Sequence, residues 1–147
     1  MIELTLSAEN DQAEIPSSDL IKNIIRVSIS NVDPYLLVSG SIVLSNANLC
    51  IGKKVYTSIK KLVVISIGKA GFTMMQAAEE KLRGRISRGV CVAKVLPADL
   101  PHWDAIKFVQ GGHPIPTAGS LAAGQSISAA LEGLTAEDLV VVLVSGG

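Results

Sequence analysis

The apolar positions of this 147-residue chain change their period along its length. Leu20, Ile21, Ile24, Val27 and Ser28 recur at helical spacing. Ser17 or Ser18 can cap that helix, and Asp19 suits its first turn. The helix ends near Asn31. Asp33-Pro34 then opens a second one, with Asp33 as N-cap and Pro34 at the first helical position. The pattern carries it to about Leu44, with Asn46 near its end. Leu49–Ile51 and Val55–Thr57 read as short strands of a hairpin around Gly52-Lys53. From Leu62 the pattern becomes continuous. Leu62–Ile67 is apolar or small and rich in β-branched side chains, as in a parallel strand buried on both faces. Gly89–Val95, Ile106–Gln110 and Leu139–Val144 repeat this character.

Helical periods separate these runs. Ala70–Arg83 places Met74, Ala78 and Leu82 on one face, with Gly71 and Met75 beside it and Gly84 just past the end. A second helix follows Thr117 as cap. It carries Leu121, Gly124, Ile127, Ala130, Leu131 and Leu134, and Gly133 marks its end. The alternation predicts an α/β fold: a mostly parallel, Rossmann-like sheet with helices on both faces, preceded by two helices packed across the sheet layer. Residues 1–16 show no period and read as a flexible leader. Residues 17–147 then form part of an N-terminal domain. An apolar strand running into VSGG suggests a truncated fragment of a longer protein whose second domain is missing here.

Composition narrows the function. Charged residues make up 18%, aromatics 3%, and the formal net charge is zero. With no basic run and no aromatic platform, nothing points to nucleic acid. The longest apolar run, Leu139–Val144, is far too short for a membrane span. Cys50 and Cys91 lack nearby metal-ligand partners and read as reduced core residues of a cytoplasmic protein. His102 and Trp103, in a loop between Pro97 and Asp104, read as surface or packing residues. Gly52-Lys53-Lys54 is no Walker loop, since it lacks both the upstream glycine and a following Ser or Thr.

The candidate chemistry lies in three turns at strand ends: Gly68-Lys69, Gly111-Gly112-His113-Pro114 and Ser145-Gly146-Gly147. In an open parallel sheet, ligands bind beyond the carboxyl ends of the strands. A glycine turn into a helix exposes backbone N–H groups and the positive end of the helix dipole, and Lys69 adds a full charge. The Ser145-Gly146-Gly147 turn adds N–H groups and a hydroxyl. Together they describe a site for a small anion, most simply a phosphate. An ordinary βα turn with a solvated lysine would also fit Gly68-Lys69. His113 could donate or accept a hydrogen bond, or it could be a loop residue held by Pro114.

IGKAG, GGHPIPTAG and LTAEDLVVVLVSGG, in that order, resemble the N-terminal domain of the class II glycerate kinases. These are the glycerate 2-kinases of the MOFRL type, some of which are called hydroxypyruvate reductases. The resemblance runs from about Asp19 to the end and includes Val32-Asp33-Pro34. Members of that family continue past SGG with a third glycine and Ser-Ala-Leu, which this chain lacks. The resemblance implies transfer of the ATP γ-phosphoryl to the 2-hydroxyl of D-glycerate with a divalent metal such as Mg2+, giving 2-phosphoglycerate. It implies that Lys69 stabilises the transferring group. Gly68, Ser145, Gly146 and Gly147 would then cradle phosphate or substrate, with His113 lining the pocket. No metal ligand is expected within this chain. Two alternatives are a hydroxypyruvate reductase, disfavoured because no GxGxxG follows any strand, and a non-catalytic phosphate-binding domain.

Overall fold

The structure is a computed structural model and describes residues 17–46 and 48–146. The expected leader, residues 1–16, lies outside the described residues, as does Gly147. The chain divides into two units, residues 1–31 and 32–147. The first contributes helix α1 (Ser18–Asn31). Ser17 Oγ accepts the Leu20 N–H at 3.3 Å, so the expected serine cap forms.

The second unit opens with α2 (Pro34–Ser41). Asp33 Oδ1 accepts the N–H groups of Tyr35 (2.8 Å) and Leu36 (3.0 Å), as expected for this N-cap. The helix stops three residues short of the expected Leu44. Ile42–Ser45 is instead strand β1, antiparallel to β2 (Asn48–Ile51), which pairs in turn with β3 (Lys54–Tyr56). The β-branched pair Ile42-Val43 gives up χ1 freedom in a helix. Paired with Ile51, Ile42 is only 2% exposed, so tertiary burial decides for the strand. Asn46 accordingly sits in a turn, at φ +54°, rather than at a helix end.

Among the described residues the main sheet has four parallel strands: β4 (Leu62–Ile67), β5 (Ile86–Ala93), β6 (Ile106–Gln110) and β7 (Leu139–Val144). Their spatial order is β6-β5-β4-β7. The four expected strands are thus neighbours in one sheet. β5 begins three residues before the expected Gly89 and ends at Ala93, two residues before Val95. The polar stretch Ser87-Arg88 concealed its start. The strand's register against β4 shifts there, with Leu62 opposite Ile86 and Val63 opposite Arg88. Ser87 Oγ accepts the Leu62 N–H (3.2 Å), and Arg88 Nη1 donates to the carbonyls of Ala130 and Glu132. Each polar side chain has a backbone partner, so the strand accommodates both.

Helix α3 (Gly71–Leu82) lies on one face with α2, and α4 (Ala118–Leu131) packs on the other. α3 is one residue shorter at each end than the sequence period suggested. Arg83 closes it in the left-handed region (φ +41°), followed by Gly84 (φ +75°). The α3 face holds the larger core, including Leu49, Val64, Met75 and Leu82. The α4 face holds Val63, Ile65, Val90 and Val92 against Ala123 and Ala130. Leu121, counted among the helix's apolar residues, is 68% exposed, because the small residues Ala123, Ser126 and Ala130 face the sheet. β4 is buried on both faces, as its composition required. Among the described residues β7 lies at the edge of the sheet, and Val140, Val142 and Val144 on its α4 side are exposed because α4 packs over β5 and β6. Its unbroken apolar run therefore overstated its burial.

The remaining expectations place simply. Trp103 packs against Phe72 and Phe108, with ring centroids 6.2 and 5.6 Å away, while exposed His102 pairs with Asp104. Cys91 is buried, which pushes its thiol up to about 12, and Cys50 is half-buried.

The loop entering β7 is fixed by Asp138. Its carboxylate accepts the N–H (2.8 Å) and hydroxyl (3.1 Å) of Thr135 and the N–H of Lys61 (3.0 Å). The Thr135 backbone bond is the main cause that lowers its pKa below the usual carboxylate value. A depressed folded-state pKa adds stability above the unfolded value, and that stability is lost as pH falls through the folded one. Acid unfolding of Asp138→Asn should therefore show a weaker dependence on pH below about 4 than the parent chain. An unchanged dependence would dismiss Asp138 as a contributor.

Candidate functional site

From β4 the chain moves outward through β5 to β6. Helix α4 then carries it back across the sheet to β7, on the other side of β4. The order of connection reverses between β4 and β7. In open α/β sheets, ligands bind in the crevice at the carboxyl end of such a reversal. Gly68 and Ser145 follow the two strands at that point.

The turn after β4 is held by backbone geometry and one hydroxyl. Gly68 has φ +119°, a region open to glycine but strained for other residues. A Cβ there would stand 2.3 Å from Ser145 Oγ and 2.6 Å from the Ser145 carbonyl oxygen. The Gly68 N–H donates to Val92 O (3.1 Å), and the Gly71 N–H donates to Gly68 O (3.0 Å). Ser145 N–H donates to Ile67 O (3.0 Å), and Ser145 Oγ accepts the Ala70 N–H (3.0 Å). Ser145 thus fastens the start of α3 to the end of β7. The sequence suggested a ligand contact for this hydroxyl. Its oxygen is engaged with Ala70 while its proton remains available to a ligand.

Lys69 projects from this turn, exposed, and makes no ion pair among the described residues. It lines two clefts. The first, about 350 Å³, has apolar walls from Ile67, Val92 and Ile127 and a polar rim of Lys69, Lys94 and His113. The second, about 750 Å³, lies between Val144-Ser145-Gly146 and a wall that includes Thr73, Met74 and Ile42. Lys69 is the one residue common to both. The expected residues therefore separate into two groups around it. Gly68 and His113 share the first cleft, Ser145 and Gly146 line the second, and Gly147 lies outside the described residues.

His113 is exposed in the loop after β6, and its bond to Pro114 is cis. Ser120 Oγ secures that loop by accepting the N–H groups of Gly112 (3.0 Å) and Thr117 (3.1 Å). Thr117 stands at the N-cap position of α4, as its place in the sequence suggested. Lys94 escaped the sequence reading because no motif surrounds it. The available signal was its position after an apolar strand, at the same sheet edge as Lys69.

The arrangement suits an oxyanion. It combines a lysine, a fixed glycine turn, the start of α3 without a side-chain cap, and a serine hydroxyl. It does not suit a divalent cation. Among the described residues no group of three or more His, Cys, Asp or Glu side chains converges. No helix among them is long and apolar enough to cross a membrane.

A family model described as "Domain of unknown function (DUF4147)" matches residues 20–147. The chain belongs to the DUF4147 family. A glycerate 2-kinase of Pyrococcus horikoshii is 31% identical over 121 residues, covering 82% of this chain and 26% of that protein. A putative hydroxypyruvate reductase of Agrobacterium vitis is 26% identical over 137 residues, covering 91% of this chain and 27% of that protein. A crystal structure of a Pyrococcus horikoshii OT3 protein superposes with a TM-score of 0.74 at 28% identity, covering 90% of this chain and 30% of that one. The resemblance read from IGKAG, GGHPIPTAG and the terminal SGG is therefore sound. This DUF4147 chain spans about a quarter of the length of the curated relatives it matches.

Proposed function

We propose that this DUF4147 domain is the phosphate-handling part of a glycerate 2-kinase, which transfers the ATP γ-phosphoryl to the 2-hydroxyl of D-glycerate. The observation that carries this reading is the position of Lys69 between two clefts at the reversal point of the sheet. Phosphoryl transfer needs a donor and an acceptor brought together and charge supplied where they meet. A cation shared by two adjoining clefts meets that need. Lys69 is the proposed catalytic residue. Gly68, Ser145, Gly146 and Gly147 are proposed to shape the phosphate cradle, and His113 to line the first cleft. ATP is the proposed donor. The divalent ion that normally accompanies it finds no carboxylate donor set among the described residues, so its ligands are assigned to other parts of a longer protein. A reaction among free metabolites fits a cytoplasmic setting.

A reductase is the weaker reading. Dinucleotide sites place a second glycine two residues after the first so that the pyrophosphate can approach the backbone. Here that place is Ala70, whose N–H is already engaged by Ser145 Oγ. The deciding assay supplies D-glycerate and ATP to a longer parent protein carrying this domain, and hydroxypyruvate with NADH or NADPH to the same protein. ATP-dependent 2-phosphoglycerate is expected from the first mixture. Turnover in the second mixture alone would replace the kinase reading with the reductase one. The 147-residue chain alone should form no 2-phosphoglycerate, and activity in it comparable to the parent's would refute a requirement for further domains.

A further inference from the structure

The first cleft carries a second cation that the phosphate turn does not account for. Lys94 follows the last residue of β5, and its backbone is pinned: Gln110 Nε2 donates to Lys94 O (3.1 Å), and the Gly111 N–H donates to Ala93 O (3.0 Å). These bonds tie Lys94 to the end of β6, whose following loop brings His113 to the same rim. Lys94 also lines an adjoining hollow of about 530 Å³ with Gly111, Gly112 and His113. It is exposed and makes no ion pair among the described residues. Two lysines with no ion pair among the described residues line one small cleft, and an anion bound there would balance both charges. The cleft's volume, about 350 Å³, is at the low end for small-molecule sites. That matches a compact oxyanion better than a whole nucleotide.

We propose that Lys94 is a binding residue and that the first cleft holds a small organic or inorganic oxyanion between Lys94 and Lys69, with His113 at its side. The ligand class is a carboxylate or phosphate of a few carbons at most. The inference rests on reading Lys69 as an anion-binding residue. Lys94 meets the ligand from the end of β5, beside Lys69 at the end of β4, and grips an oxygen that Lys69 does not.

The test is a binding titration followed by NMR on the 147-residue chain, with three separate probes: D-glycerate, inorganic phosphate, and ATP without metal. The variants are Lys94→Met, Lys94→Arg and Lys69→Met. A charge-assisted hydrogen bond lost from a partly enclosed site weakens binding on the order of tenfold. Lys94→Met should weaken at least one probe by that factor, and Lys94→Arg should retain most of the affinity. The probe affected identifies the source of the oxyanion. Lys94→Met leaving all three affinities within about twofold while Lys69→Met abolishes them would overturn the proposal and keep the phosphate reading. Three probes that bind neither parent nor variants would overturn both. Lys94 is a surface residue, so circular dichroism of the variants should match the parent chain.

Discussion

Replacing Gly68 with alanine should destabilise the domain by about 3–5 kcal/mol. Two costs add. At φ +119° an L-residue is strained by about 1–3 kcal/mol. The new methyl carbon would also overlap Ser145 Oγ at 2.3 Å and the Ser145 carbonyl oxygen at 2.6 Å, and neither belongs to a long side chain able to swing away. Displacing Ser145 further loosens its bonds to Ile67 and Ala70. Against a total stability of about 5–15 kcal/mol, the loss is a large fraction. The melting temperature should fall by about 10 °C or more. Gly84→Ala is the control: φ is +75° there, but nothing lies within 4 Å of the added carbon. It should cost only the strain. Equal melting temperatures for the two variants would show that Ser145 yields freely and that the crossing of the two strand ends is soft.

Lys69→Ala should lower kcat of a longer parent kinase about 10²–10³-fold, the usual loss when one preorganised group that stabilises transition-state charge is removed. Its melting temperature should not move appreciably, because the side chain is exposed and makes no ion pair among the described residues. Lys69→Arg keeps the charge but changes its reach and shape, and should recover only part of the activity. Steady-state kinetics with ATP and D-glycerate varied in turn separate two outcomes. A fall in kcat places the charge at the transferring group, whereas a rise in KM alone confines it to ground-state binding. Unchanged kinetics would return Lys69 to a solvated surface position.

Much of the sheet was legible because β4 is a short, unbroken apolar run that ends at Gly68, and β6 is a short run that ends at Gly111-Gly112. What was hidden depended on partners distant in sequence. Ile42-Val43 looks helical from within its own window and becomes a strand only when Ile51 and Cys50 lie alongside. Ser87-Arg88 looks like a loop until Leu62 and the end of α4 take up its polar groups. β7 showed its strand character but not its edge position, because an apolar run does not reveal which face a helix covers. At the site, the glycine turns were visible as motifs. The division of their residues between two clefts was not, and neither was Lys94, whose only credential is its place at a strand end. The hydroxyl of Ser145 was recognised as polar chemistry, while its bond to Ala70 required the fold.

That bond also bears on the order in which the molecule assembles. β4 meets β5 across a short crossover, but its union with β7 joins residues 77 apart, and Ser145 reaches back 75 residues to Ala70. Long loops close late, since their entropy is lost before their contacts form. The Lys94 side of the sheet can therefore mature first. The crevice beside Ser145 exists only after β7 has docked, so amide protection at Ala70 should rise with that step and serve as a clock for it.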